Sequence, residues 1–359
     1  MKKSTSIFAI LAVAFYSELN AQNVSYYSRA QYWQKYNRKE LIIPDVNGYR
    51  ALTGDFHMHS SAVDGKVTPE GRVFEAWYDG LDILAITDHF GGNSNNKAYE
   101  EAKSSAEEKG MLIVRGTEVA RTNTEHYNFL FIKDANKLVG LPFKEMVQEV
   151  INQGGFITLN HPNLGLDTMI VNEFQAELFK NKMIHGIEIF GDIGFYYPTA
   201  LLWMEEYNLT PFSDSDVHEL VLRDFGTDPS IFRPFTILFA KEKTLNSARE
   251  ALDSHRTLAC FEKQLAGEEQ LLKDLFKACI SIKSVSQKKG NAVYNLKNNS
   301  SLPYSIKMNI NNSPFISTIG AQCSINITVP VATKNIEVTI VNMHIKNKNH
   351  PKVVMELAK

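Results

Sequence analysis

Apolar runs and amphipathic stretches alternate from residue 51 to about residue 261. LTGDFHM, LDILAITDH, MLIVRGTEV, YNFLFI, GFITLNHP, HGIEIF, LTPFSDSD and PFTILFA read as strands. LDILAITDH is almost continuously apolar, as expected of a strand buried on both faces. TPEGRVFEAWYDG, NNKAYEEAKSSAEEKG, PFKEMVQEVINQGG, VNEFQAELFKN, PTALLWMEEYN and TLNSAREALDSH carry helical patterns between them. In the first of these Thr68 can cap, Pro69 suits the first helical position and Gly80 suits the end. Repeated strand-then-helix units, seven or so, predict an α/β fold with a parallel sheet closed or nearly closed into a barrel. Near Cys279 the pattern changes. ISIKSVSQ, NAVYNLKN, YSIKMNI, CSINITV, NIEVTIVNM and KVVMEL are short β-like runs separated by Asn, Ser, Gly and Pro. They predict a small antiparallel β-sandwich.

Composition narrows the function classes. The chain has 359 residues, 44% of them hydrophobic, and a formal net charge of -2. With no basic run, the electrostatic footprint of a nucleic-acid binder is missing. No G-x-G-x-x-G follows a strand, which removes the main support for a dinucleotide fold. At the N-terminus Lys2 and Lys3 precede an apolar run from Ile7 to Tyr16, and Ala21 closes a cleavage-like site. This predicts a signal peptide over 1–21 and a periplasmic or secreted protein with no membrane span. Residues 22–50 form a polar and aromatic N-terminal segment, 51–279 the barrel and 280–359 the sandwich. Cys260, Cys279 and Cys323 are too few and too scattered for a disulfide framework or a zinc knuckle, and read as small buried residues.

The candidate chemistry lies where the strands end. In GDFHMHSSAVDG, His57 and His59 share one strand face at period two, and Asp64 follows in a Ser/Gly loop. Asp88 and His89 end a strand, Glu118 ends another, and His126 opens HYNFLFI. His161 lies at the end of GFITLNHP, Asp216 ends LTPFSDSD, and His218 follows two residues on, in SDSDVH. Barrel active sites form at the C-terminal ends of strands, so the pattern puts imidazoles and carboxylates on one rim. His185, His255, His344 and His350 lack such company and read as structural or exposed.

DFHMHSSAVDG, ILAITDH, GTEV, LNHP and SDSDVH, in this order, resemble the motifs of the polymerase and histidinol phosphatase (PHP) domain over roughly Thr53 to Phe261. GTEVARTNTEHYNFLF, HGIEIF and RPFTILFAKEKTLNSAREAL, with the β region after them, are similar to exported PHP proteins of the Sb-PDE phosphodiesterase type. The resemblance implies a distorted (β/α)7 barrel holding two or three divalent metals. His57, His59, Glu118 and Asp216 would hold the first; Asp64, His89 and His218 the second; Glu118, His126 and His161 the third, with Glu118 bridging. Nitrogen and oxygen ligands without thiolate suit Zn²⁺, Mn²⁺ or Fe²⁺. Asp55 and Asp88 are candidates for orienting the imidazoles.

Clustered metals lower the pKa of a bridging water and neutralise charge on phosphoryl oxygens, so attack of the resulting hydroxide on a small phosphate ester is the expected reaction. Glu118 and Asp216 are the expected catalytic carboxylates. Arg121 is the candidate for holding a phosphoryl oxygen, and Arg115 for a structural ion pair. The aromatic stretch Phe190 to Pro198 either lines a pocket or packs. A phosphodiesterase is the first expectation; a phosphomonoesterase of the histidinol phosphatase type and a non-catalytic metal-binding protein are the alternatives.

Overall fold

Strand β1 (Arg50–Asp55) becomes buried as it enters the sheet, and its side chains from Leu52 onward are inside. Helix α1 (Pro69–Tyr78) follows; Thr68 caps it by accepting from the Gly71 N–H, with Pro69 at its start. In this computed structural model, residues 37–91, 96–162, 170–191, 195–226 and 232–357 are described. The proposed signal segment lies outside them. The barrel region continues with β2 (Ile83–Ile86), α2 (Lys97–Glu108), β3 (Leu112–Thr122), β4 (Glu125–Leu130), α3 (Phe143–Asn152), β5 (Phe156–Asn160) and α4 (Glu173–Lys180). Then come β6 (Gly186–Gly191), the short β7 (Phe195–Tyr196), α5 (Ala200–Tyr207), β8 (Thr210–Ser213), α6 (Val221–Phe225), β9 (Phe235–Ala240) and α7 (Leu245–Asp253).

The sheet is mixed. Strands β1, β2 and β3 are parallel neighbours, as are β5, β6 and β8. Antiparallel β4 joins β3 to β5. On the other side of β1, β9 runs antiparallel to it. The sheet curls, and side chains rather than a ladder bring its far strands together. The Thr236 hydroxyl of β9 accepts from the Ser213 N–H of β8 at 2.9 Å, and the Thr257 hydroxyl donates to the Pro211 carbonyl at 2.8 Å.

Elements that the periodicity did not announce extend this sheet. A hairpin of β10 (Thr257–Phe261) and β11 (Gln264–Gly267) pairs with β9. Helix α8 (Glu269–Cys279) follows, with the Glu268 carboxylate accepting from the N–H groups of Gln270 and Leu271. After it come β12 (Ile280–Lys288), β13 (Asn291–Asn298), β14 (Tyr304–Ile310), β15 (Ser313–Ile319), β16 (Ser324–Pro330), β17 (Asn335–Ile340), β18 (Met343–His344) and β19 (Lys352–Glu356). They form two antiparallel sheets, β12-β13-β16 and β15-β14-β17-β19. Alternate residues such as Tyr294, Leu296, Ile306 and Val338 are buried in one core continuous with the barrel. Only β18 leaves this pair of sheets, lying parallel to β11 in the barrel sheet.

The three cysteines are free; Cys260 and Cys279 are buried as expected, whereas Cys323 is exposed. Among the described residues no helix is long and apolar enough to cross a membrane.

Candidate metal centre

The chain leaving β1 runs between the extensions of two other strands. The His57 carbonyl accepts from the Asp216 N–H at 2.8 Å, the His59 N–H donates to Val217 at 3.1 Å, and the Met58 carbonyl accepts from Thr87 at 2.8 Å. His57 and His59, two residues apart on one face, bring their Nε2 atoms to 3.3 Å. The turn beyond them is tight: a Cβ on Gly65 would lie 2.6 Å from the carbonyl carbon of His59, which is why glycine follows Asp64. Asp216 and His161 hold positive φ of 51° and 26°, conformations disfavoured for side-chain-bearing residues and held by the surrounding hydrogen bonds.

All nine candidate ligands meet in one cluster. Glu118 stands at its centre. Oε1 lies 3.3 Å from His57 Nε2, 3.1 Å from His126 Nδ1 and 3.1 Å from His161 Nε2. Oε2 lies 3.3 Å from His59 Nε2 and 3.0 Å from His89 Nδ1. Asp216 Oδ1 faces the Nε2 atoms of His57 at 3.1 Å and His59 at 3.0 Å. Asp64 gathers His59 Nδ1 at 3.3 Å, His89 Nε2 at 3.6 Å and His218 Nε2 at 3.4 Å. His59 thus turns one nitrogen to the inner carboxylates and the other to Asp64. The cluster has a deep side and an open side. His57, His59, Glu118 and His161 are buried, while the side chains of His89, Asp64 and His218 are 35%, 37% and 39% exposed.

The electrostatics are those of a cation site. Burial alone would lower the pKa of His57, yet Asp216, Glu118 and Glu188 outweigh it and raise the group well above the ordinary value. His59 and His161 move the same way against the same burial penalty. Burial pushes Glu118 and Asp216 up, and the facing imidazoles reverse this and hold both carboxylates well below their usual range. Five ring nitrogens crowd one carboxylate, which offers about four lone-pair sites. Moreover, His59 Nδ1 and Asp216 Oδ1, both facing into the cluster, are buried without making a hydrogen bond. These are the marks of ligand atoms. The imidazole-and-carboxylate set fits divalent transition metals, with His57, His59, Glu118 and Asp216 converging as one group and Asp64, His89 and His218, joined by His59, as another. Ligation needs neutral imidazoles, so metal entry must displace protons from these rings.

The residues around the cluster correct three expectations. Arg121 does not reach it. Period two from Glu118 puts Arg121 on the opposite face of β3, and the bulge at Ala120/Thr122 leaves it there. Its Nη2 donates to Glu125 at 2.8 Å and its guanidinium lies over the Phe174 ring. Asp55 bonds Ser215 Oγ at 2.6 Å and pairs with the buried Arg233, touching only the backbone of His57. Asp88 accepts from the Ser60 N–H and hydroxyl, fixing the loop after His59 rather than a ring. Arg115 pairs with Glu100 as expected. Of the aromatic stretch, Phe190 and Tyr197 are buried and Phe195 is exposed.

The imidazole-orienting carboxylate is instead Glu188. Fully buried on β6, it accepts from His57 Nδ1 at 2.8 Å with one oxygen and from the His161 N–H with the other. A charged residue amid the apolar HGIEIF was its visible signal. Glu188→Gln should weaken metal binding about 10–100-fold, read by competition with a chelating dye; unchanged affinity would mean the bond orients nothing that matters. Arg72, also missed, is fully buried on α1. Its Nε donates to the His59 carbonyl at 2.7 Å, Nη2 to the Val217 carbonyl at 3.0 Å and Nη1 to Glu75 at 2.6 Å. It therefore clamps one ligand loop to the other.

No family model matches the chain. A curated 5′-3′ exoribonuclease of Haemophilus influenzae is 35% identical over 71 residues, 20% of this chain and 24% of that protein. The match therefore spans about a quarter of that relative's length. The crystal structure of a two-domain protein containing a predicted PHP-like metal-dependent phosphoesterase, from Bacteroides vulgatus, superposes with a TM-score of 0.83 at 29% identity. That match covers 89% of this chain and 99% of the other. With nine imidazole and carboxylate side chains gathered in one cluster, this chain is similar in both of its regions to that two-domain protein containing a predicted PHP-like metal-dependent phosphoesterase.

Proposed function

We propose that the protein is a metal-dependent phosphodiesterase that hydrolyses small phosphate diesters outside the cytoplasm. The observation that carries this is Glu118, a buried carboxylate within 3.3 Å of five ring nitrogens from five different positions. Bound there, divalent metals supply an activated water and neutralise charge on phosphoryl oxygens. The chain's own residues do the rest. Glu188 keeps His57 Nδ1 protonated and its Nε2 turned inward, Arg72 holds the two ligand loops in register, and the buried ligands exclude water from the deep side. Asp64, His89 and His218 form the side open to substrate.

The preference for diesters rests on charge. Arg121 faces away, and the two buried arginines beside the cluster are engaged by Glu75 and Asp55. These three arginines therefore offer no free cation for the second negative charge of a monoester, whereas a diester carries one. A nucleotide strand is a second reading, favoured by the likeness to an exoribonuclease over 71 residues. Zn²⁺, Mn²⁺ and Fe²⁺ all suit the donor set.

The metal-loaded chain should hydrolyse bis-(p-nitrophenyl) phosphate with a kcat/KM at least about tenfold above that for p-nitrophenyl phosphate. A preference for the monoester with metals bound would overturn the diesterase reading. Faster cleavage of a short oligoribonucleotide would select the nucleotide reading. N-terminal sequencing of protein from the native cell should begin after Ala21; retention of Met1 would overturn export.

A further inference from the structure

An opening lined by none of the nine candidate ligands lies in the C-terminal sheets. It measures about 830 Å³, within the range of specific ligand sites. Its origin is a ladder that stops early. Strand β14 pairs with β15 as far as Ile310↔Ser313, and β17 pairs with β19 as far as Asn335↔Glu356. Between β14 and β17, pairing ends at Met308↔Val338 after three residues. The register would next place Asn309 against Glu337 and Asn311 against Asn335. None of these pairs forms, and all four residues line the opening.

The direction of the backbone groups follows from alternation in antiparallel ladders. The Ser305 carbonyl accepts from Val341 N–H on the β17 side, and its N–H donates to Asn342 on that side. The odd positions of β14, Asn309 among them, therefore face β17. On β17 the Ile340 N–H donates to Pro351 and the Lys334 carbonyl accepts from Leu357, toward β19. The odd positions, Glu337 among them, therefore face β14. Both walls thus present N–H and C=O groups at strand spacing with no strand between them. Buried Met308, Ile336 and Val329 lie along the inner side. On the outer side Lys307 and Lys352 stand against the single carboxylate of Glu337, which Lys352 already contacts at 3.3 Å.

We propose that this slot binds an extended polypeptide segment of a partner protein, with apolar residues alternating with acidic ones. An extended backbone offers matching donors and acceptors along both of its edges. Its apolar side chains would meet the inner face and its acidic ones the lysines. This reading is independent of the diesterase activity.

The test uses the full, metal-loaded chain and a displayed library of random hexapeptides. Enriched peptides should alternate apolar and acidic residues. A synthesised winner should slow hydrogen exchange at the Asn309 and Glu337 amides at least tenfold. Its affinity should fall at least tenfold in Lys307→Glu, an exposed change expected to leave folding and ester hydrolysis unaltered, and further in Asn309→Pro, which removes one inward N–H. No enrichment, or binding without protection of those two amides, would overturn the proposal. So would self-association of the chain that Lys307→Glu abolishes, which would assign the slot to a second copy.

Discussion

Glu118→Gln is expected to lower kcat/KM by more than about 100-fold and to reduce bound metal. Losing a residue that merely orients a ligand typically costs 10–100-fold, and Glu118 touches the ring nitrogens of His57, His59, His89, His126 and His161 directly. Glutamine keeps the size but removes the charge that draws the imidazoles together. It also turns an amide N–H₂ toward nitrogens that need an acceptor or a metal. Asp55→Asn makes the contrast. Its carboxylate pairs with buried Arg233, so its loss should fall first on stability. Metal content by mass spectrometry, together with ester hydrolysis, separates the two. Equal losses of activity in both variants with metal content intact would remove Glu118 from its central role.

Arg72→Met should destabilise the fold by about 3–5 kcal/mol, because it strands the buried carboxylate of Glu75 without its cation. The urea midpoint reads this directly. A second effect separates clamp from core. Arg72→Met combined with Glu75→Leu removes both charges and should recover most of the stability. It cannot restore the donors to the carbonyls of His59 and Val217, so metal affinity should stay low. Full recovery of both properties would make Arg72 a packing residue only.

The difference between what could and could not be read from the chain is one of distance. The ligands announce themselves locally: His57 and His59 by period two, His89, Glu118, His161 and Asp216 by ending apolar runs. Arg121 was legible too, since three residues from Glu118 along a strand means the other face; its attraction as a phosphate holder obscured that. Arg72 sits in GRVFEAW, where an arginine reads as a solvated helix position, and only its contact with Val217, 145 residues on, shows otherwise. Glu188 was visible as an anomaly, but its partner His57 lies 131 residues away. The hairpin β14–β15 escaped notice although its turn carries Asn311 and Asn312, both at positive φ, a signature of tight primed turns. β10 and β11 turn at Glu262 and Lys263; Glu262 also takes positive φ, but neither residue type is one that marks such a turn in the sequence.

The seam joining the first ligand strand to the last has a consequence for synthesis. Asp55 and Ser215, bonded side chain to side chain, are 160 residues apart. At translation speeds of about 5–20 residues per second, roughly 8–30 s pass between their appearances. Through that interval His57 and His59 are made but have neither Asp216 nor the β8 backbone to hold them. A nascent chain that has just completed β6 already contains His57, His59, Asp64, His89, Glu118, His126 and His161, yet lacks the strand that sets their spacing. The native ligand set is therefore complete only once β8 and the Asp216 turn after it have been made and have docked against the chain leaving β1.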